Sequence, residues 1–344
     1  AKAKLSKETW DYLIGAAETE TTFKRNRFAL DSLAFRPRVL RDVENVDIST
    51  NLVGHSLRMP VILAPIGSMQ DFVDGAGIAP TIAASEFGIL HMISSTCMPG
   101  LEEVAKSVNY PKLFQLYVRG NQNWVDDQIK SAIDCNYAGI CLTVDLDAYG
   151  RRERDLAKRY RTTSRQSASG FEYQMRFSWK DIDRIKSYCD LPIIIKGIAT
   201  KEDALLAIKH GVEIIYVSNH GGRQLDFGVG GLNVLPEIVE VVENKAKIIF
   251  DGGIMRGTDV LKAMALGADC VGIGRLQGFA AAAGGSKAIF RMLELLEAEI
   301  LTGLRLLGLN SLTELDKSYL SKDYAFDSKN VLSAFPLIDE GYYC

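Results

Sequence analysis

The sequence predicts an α/β fold, a (β/α)8 TIM barrel, and three observations predict it. Eight short apolar, β-branched runs recur between residues 59 and 275, a helical pattern rich in Ala, Leu, Glu and Lys follows each, and each run turns polar or Gly-rich where it ends. Short buried strands alternating with helices imply parallel strands joined by crossovers. Eight such units in about 240 residues fit a closed barrel better than a six-stranded open sheet. All eight polar ends then meet at one mouth, so residues far apart in the chain become neighbours.

In chain order the predicted strands are MPVILAPIG (59–67), HMISS (91–95), KLFQLYV (112–118), GICLTVD (139–145), PIIIKGI (192–198), IIYVSNHG (214–221), KIIFDGG (247–253) and CVGIGR (270–275). The helical patterns run from APTIAASEFG through GLEEVAKSV, NWVDDQIKSAI, SWKDIDRIKSY, TKEDALLAIKH, LPEIVEVVEN and RGTDVLKAMALG to SKAIFRMLELLEAEIL. Two segments stand outside the repeat. Residues 1–58 form an N-terminal helical extension, with the patterns KETWDYLIGAA and TTFKRNRFALDSL followed by an irregular stretch. Residues 146–177 form a polar loop after strand 4, longer than an ordinary barrel turn. Within it RQSASG reads as mobile, while Arg151 and Arg152 lie close enough to strand 4 to face the mouth. The whole chain reads as one domain: extension 1–58, barrel about 59–305 and C-terminal tail 306–344.

Composition narrows the function. The 344 residues carry 40 Lys+Arg against 43 Asp+Glu, a formal charge of −3, and no long like-charge block, which argues against a nucleic-acid surface or a polybasic membrane anchor. The six cysteines (Cys97, Cys135, Cys141, Cys189, Cys270, Cys344) lack C-x-x-C spacing and read as buried free thiols of a reducing cytoplasm, with no metal site. The longest apolar runs fall far short of the roughly 18–20 residues that span a bilayer. The start, AKAKLSKETWDYL, lacks the apolar centre of a secretion signal.

The strand ends carry the candidate chemistry. His220, in SNHGGRQLD at the end of strand 6, is the side-chain type suited to accept a proton at the mouth; His55, His91 and His210 occupy poorer positions. Asp145, ending strand 4, can orient a histidine and stabilise its protonated form, whereas Asp147 reads as a helix cap. Lys196 ends strand 5 after an unbroken apolar run, so its ammonium needs an anion, unless it serves as a Schiff-base nucleophile. Gly252-Gly253 and Gly272-x-Gly274-Arg275, ending strands 7 and 8, occupy the place where barrels commonly bind phosphate. Arg152 and Arg223 can grip a carboxylate through planar, paired hydrogen bonds.

These residues resemble a known family, the FMN-dependent α-hydroxy-acid oxidases and dehydrogenases, which include glycolate oxidase, lactate oxidase and monooxygenase, and mandelate dehydrogenase. The matching segments run in order from about residue 10 to about 310: WDYLIGAAE, FRPRVLRDV, MPVILAPIG, SSTCMPGLEEVA, FQLYV, LTVD with GRRERD, LPIIIKGI, VSNHGGRQLD, DGGIMRGTDVLKAMALGA and GIGR. The resemblance implies FMN across the mouth, held by Pro65, Ile66, Gly67, Ser94, Gln115, Thr143, Lys196 and Ser218. It implies a phosphate near Asp251, Gly252, Gly253, Ile254, Met255, Gly274 and Arg275. His220 becomes the catalytic base supported by Asp145, with Lys196 near the flavin and Tyr117 at the substrate hydroxyl. Arg152, Arg223 and Tyr12 hold the substrate carboxylate. The implied reaction turns a 2-hydroxy acid into the 2-oxo acid and passes electrons to oxygen or a quinone; the implied assembly is a homotetramer, with peripheral membrane contact through 146–177 in some dehydrogenase relatives.

Four positions depart from the family pattern. Gly67 stands where glycolate and lactate oxidases carry alanine, which implies extra space beside the flavin. Thr96 replaces a bulky tryptophan of glycolate oxidase, which implies a substrate bulkier than glycolate. Met255 replaces an arginine at the phosphate, which implies either weaker hold on FMN or compensation by Arg256. FVDGAG stands where relatives often carry a histidine-containing segment. Two rival functions are a Schiff-base aldolase or decarboxylase built on Lys196 and a non-catalytic flavin-binding protein.

Overall fold

The computed structural model describes residues 1–166 and 171–324. Each of the eight apolar runs contains a strand: β1 (Val61–Leu63), β2 (Leu90–Ser94), β3 (Leu113–Leu116), β4 (Gly139–Thr143), β5 (Ile193–Ile198), β6 (Ile214–Val217), β7 (Lys247–Phe250) and β8 (Cys270–Ile273). They pair in parallel, and β8 closes onto β1 through Val271 with Val61 and Ile273 with Leu63. The fold is therefore a closed (β/α)8 barrel. Successive side chains on a strand point to opposite faces, and the core divides accordingly. Ile62, Leu90, Met92, Leu113, Ile194 and Ile249 fill the inside of the barrel. Val61, Ile93, Phe114, Ile140, Ile215 and Val271 face outward and pack in the larger cluster with the helices.

Local signals place the helices. Thr200 caps the Lys201–Lys209 helix through the Asp203 amide, and Ser178 and Asp181 form a reciprocal cap on Trp179–Lys186. The last helix departs from expectation. It begins at Arg275, directly after β8, and runs to Leu307 with non-helical backbone at Gly284 and Gly285. Two adjacent glycines conceal the continuity of its two halves in the sequence, because glycine is a poor helix former.

The N-terminal stretch expected to be irregular is ordered. Thr50–Leu52 and His55–Leu57 form a hairpin whose Leu52 and Leu57 join the inner barrel cluster. Leu33–Phe35 pairs antiparallel with Leu320–Lys322, tying the two ends of the chain together. The loop after β4 holds short helices at Glu153–Ala157 and Thr163–Gln166 and a 3-10 turn at Phe171–Arg176. The expected mobility of RQSASG falls largely on 167–170, and much of the predicted tail lies in 325–344; both lie outside the described residues. Cys97, Cys135, Cys141, Cys189 and Cys270 are free thiols, all buried except the half-buried Cys135. Among the described residues no helix is long and apolar enough to cross a membrane, and no acidic, His or Cys cluster suits a metal ion.

Helices α1 (Lys7–Ile14) and α2 (Thr21–Asp31) lie against the mouth. The residue before α2, Glu20, makes no side-chain cap. Asp226, in the loop after β6, does that work instead: it accepts from the Thr22 amide (2.8 Å), the Thr19 amide (3.0 Å) and the Thr19 hydroxyl (2.7 Å). Burial alone would raise the Asp226 carboxyl, yet these donors outweigh it and hold it at about 2, below the ordinary 3.8. A carboxyl held down in the folded state contributes fully above the unfolded value and loses that contribution as pH falls from about 4 through about 2. Asp226→Ala should therefore lower stability near neutral pH by roughly 1 kcal/mol. Urea midpoints of the two proteins should converge as the pH is lowered from 5 to 3; a constant difference would show that the cap does not act through its charge.

Candidate active site

Each functional side chain sits where a strand ends. His220, three residues past β6, adopts φ +58°, and Gly221 (+62°) and Gly222 (+74°) continue in the same left-handed region. Such a backbone disfavours histidine and persists only when its surroundings fix it. The Asn219 side chain accepts from the Gly222 amide and exchanges two hydrogen bonds with Asn26 of α2 (2.9 and 2.7 Å). The histidine ring is thereby aimed. Its Nδ1 lies 2.8 Å from Asp145 Oδ1, and its Nε2 lies 3.3 Å from the Tyr117 hydroxyl. An ionised carboxylate only accepts, so Nδ1 carries the proton and Nε2 presents its lone pair in the neutral ring. Asp145 reaches the histidine because Gly197 (φ +116°), at a bulge in β5, leaves room; a Cβ there would lie 2.8 Å from the Asp145 Cβ. Burial pushes the Asp145 carboxyl up, but His220 and Lys196 outweigh it and the net shift is downward.

Beneath the histidine lies a second polar group. Lys196 Nζ donates to Ser218 Oγ (2.8 Å) and lies 3.1 Å from Asp251 Oδ2, while Ser218 donates to Asp251 Oδ1 (2.6 Å). Asp251 is thus a protein anion for the buried lysine. Burial would lower the Lys196 amine, yet Asp251 and Asp145 raise it on balance. A Schiff-base nucleophile needs a neutral amine, and this one is held charged. The rival aldolase or decarboxylase reading is disfavoured on that ground.

Arg152 and Arg223 enter the same cavity from the loops after β4 and β6 and flank Tyr12, their guanidinium carbons 5.8 and 4.6 Å from its ring centre. Arg223 donates to the Tyr12 and Gly15 carbonyls at the end of α1 (2.9 and 2.7 Å). Arg275 donates to Gly15 as well (2.7 Å) and lies over Phe23. Burial, then Arg223 and Arg152, pushes Arg275 down to about 9, so it stays charged at neutral pH. Among the described residues, none of these three arginines pairs with a carboxylate.

The fit of FMN can be tested on these atoms. The Gln115 side-chain oxygen and the Arg275 Nε are buried with no partner among the described residues. A Cβ at Gly274 would meet open space, and Gly252 (φ +122°) and Gly253 (φ +87°) bare their backbone beside it. A cavity with desolvated cations, the unpartnered Arg275 Nε in its wall and glycine-lined backbone fits an anionic, hydrogen-bonding group, with the unpartnered Gln115 oxygen buried behind the lining. Pro65, Ile66, Gly67, Lys196, Asp251 to Met255, Gly274 and Arg275 line it; Ser94, Gln115, Thr143 and Ser218 are buried and do not line it. Tyr12, Tyr117, Arg152, His220 and Arg223 line its other end.

Several expectations need correction. Gly272 lines the cavity but also faces the barrel interior, where a Cβ would overlap the Tyr216 hydroxyl, so packing too requires glycine there. Arg256 does not offset Met255: it pairs with Glu299 (2.9 Å) away from the cavity. The guanidinium at the glycine end is instead Arg27 of α2, held by Asp31 and Asp259. Gly67 gives no free space either, because a Cβ there would overlap the Thr96 hydroxyl. Arg151 is exposed, unlike Arg152. Asn26, Arg27, Phe23, Tyr149 and Arg165 escaped the sequence reading; the run FKRNR on an otherwise apolar helix was the available signal.

Comparison with known proteins agrees with this geometry. Residues 1–322 match the FMN-dependent dehydrogenase family. Glycolate oxidase 3 of Arabidopsis thaliana is 36% identical, covering 97% of this chain and 96% of its own. L-lactate oxidase of Nostoc sp. is 34% identical over 93% and 95%. A mandelate oxidase variant solved with an FMN adduct superposes with a TM-score of 0.87 at 33% identity, covering 94% of this chain and 97% of its own. The chain belongs to the FMN-dependent dehydrogenase family.

Proposed function

We propose that this enzyme oxidises a 2-hydroxy acid to the 2-oxo acid with His220 as the base. The observation that carries the assignment of His220 is its ring, locked by Asp145 at Nδ1 and facing the Tyr117 hydroxyl with Nε2, in one cavity with two arginines that have no carboxylate partner among the described residues. Arg152 and Arg223 bind the substrate carboxylate and so fix the α-carbon. Tyr12 packs beneath both guanidinium groups, and Tyr117 orients the hydroxyl toward His220. The Nε2 lone pair takes the hydroxyl proton, and Asp145 stabilises the imidazolium that results. Burial, then Asp145, raises the Tyr117 phenol, so it remains a donor throughout. FMN, when bound, would supply the acceptor for the hydrogen and two electrons that leave the α-carbon. Lys196, held by Ser218, would offer it a fixed charge, Gln115, held by Thr143, its unpartnered amide oxygen, and Gly252, Gly253, Ile254, Met255, Gly274 and Arg275 would seat its phosphate.

The electron acceptor is oxygen on this reading, with support from the oxidase names of the relatives. A homotetramer is supported by exposed apolar Leu225, Phe227 and Val229 in one loop, joined to α2 through Arg25. A cytoplasmic setting and a single folding domain complete the proposal; free thiols support the first, and the antiparallel pairing of the chain ends supports the second. A non-catalytic flavin carrier would leave the His220–Asp145 pair without a task.

His220→Asn should lower kcat by about 10²–10⁴-fold while visible flavin absorbance remains. Asp145→Asn should lower it less, since the base survives without its orienting charge; equal turnover of all three proteins in anaerobic stopped-flow would remove His220 from the chemistry. Substrate-reduced enzyme should reoxidise in air at least as fast as it turns over. Slow reoxidation in air and fast reoxidation by a soluble quinone would replace oxygen as the acceptor.

A further inference from the structure

The loop after β4 carries a third guanidinium that the reaction above does not use. Arg165 lines the cavity, and its guanidinium carbon lies 3.7 Å from the centre of the Tyr149 ring. Arg152 lies over the same ring at 4.3 Å, so the two charges are no more than about 8 Å apart. Among the described residues Arg152, Arg165 and Arg223 make no ion pair. Asp155 lies close enough to feel all three, and burial pushes its carboxyl up, so it offsets at most one of them. A substrate with one carboxylate would leave positive charge uncompensated at the Arg165 side.

The wall nearby is polar as well. Tyr12 donates to Ser68 (3.3 Å), Ser68 and Ser164 share a hydrogen bond (2.9 Å), and Ser164 meets Thr162 (3.2 Å). Thr96, Phe72 and Leu146 line the same cavity. A side chain that ends in a polar or charged group can add hydrogen bonds to this row of hydroxyls, which a purely hydrocarbon one cannot.

We infer that the substrate is a 2-hydroxy acid whose side chain ends in a second anionic group, gripped by Arg165 while Arg152 and Arg223 hold the first carboxylate. This rests on the hydroxy-acid reading above and narrows it. An upper bound of about 8 Å between the two guanidinium groups limits the substrate to a short diacid of at most four or five carbons, and a phosphate ester offers the same chemistry from another source. Oxidation at the α-carbon leaves the distal anion unchanged, so the product is a 2-oxo diacid or its phosphorylated counterpart.

The test is anaerobic reduction of the bound flavin by malate, 2-hydroxyglutarate and 3-phosphoglycerate, set beside lactate, 2-hydroxybutyrate and mandelate. The doubly anionic acids should exceed the monoacids in kcat/KM by about 10–100-fold, the range of a charge-assisted contact. That ratio should collapse in Arg165→Ala and be partly retained in Arg165→Lys, with flavin absorbance confirming that both variants fold. Malate and 2-hydroxyglutarate against 3-phosphoglycerate tell the carboxylate source from the phosphate source, either of which supports the assignment. Monoacids equal to the diacids, or a ratio indifferent to Arg165, overturns it and leaves the hydroxy-acid reading intact. Failure of every acid to reduce the flavin overturns that reading and this inference with it.

Discussion

Desolvated positive charge is the constraint around which this molecule is arranged. Lys196, Arg152, Arg223 and Arg275 line the cavity at one end of the barrel, Lys196 and Arg152 at 5% exposure, and among the described residues Lys196 is the one of the four with a carboxylate partner. Burying a charge without compensation is costly, and the fold meets that cost in two ways. Asp251 and Ser218 satisfy the lysine. For two of the arginines the last carbonyls of α1 substitute for carboxylates, since Gly15 accepts from both Arg223 and Arg275. Helix C-termini carry partial negative charge, so α1 steadies the guanidinium groups without neutralising them. An anion that enters still meets a full positive charge.

The N-terminal extension therefore belongs to the site. Asn26 holds Asn219, Asn219 holds Gly222, and the three left-handed residues between them aim His220. Asp226 returns the favour by capping α2. Loop and helix each supply the hydrogen bonds the other lacks. On the proposed reading of His220 as the base, the strained backbone is useful in this sense: the ring is aimed before substrate arrives, and no ordering cost falls on the reaction itself.

Most of the fold was legible because its signals are local. A run such as PIIIKGI announces both a buried strand and its polar end, and the sum of eight such ends locates the mouth. His220, Asp145 and Arg223 followed from that placement. Illegible features share one physical cause, which is that their meaning lies in a distant partner. Arg27 reads as surface charge until it meets Asp259, 232 positions away, and Asn26 is unremarked until Asn219 faces it across 193 positions. Gly272 looked like phosphate-binding glycine because the pattern Gly-x-Gly cannot reveal which strand face each glycine occupies. Arg256 was credited with an anion that Glu299 already supplies. Gly67 read as a vacancy, yet the Thr96 hydroxyl fills the space beside it.

Reaction and selectivity come from different parts of the chain. The groups assigned to proton transfer and cofactor charge, His220, Asp145, Lys196 and Asp251, stand at or just beyond strand ends, where barrel register fixes them. Tyr149, Arg152, Thr162, Ser164 and Arg165 all come from the one loop after β4. That loop contributes no strand and few residues to the main core, so its side chains can change without repacking the barrel. Arg152 is the exception that links the two parts, since it touches Tyr149 on the loop side and the Arg223 carbonyl on the strand side. Substrate choice can thus shift with the polar wall while the base and its orienting carboxylate stay fixed, and a cavity built for proton abstraction can be tuned to acids of different charge through residues that never touch the reacting carbon.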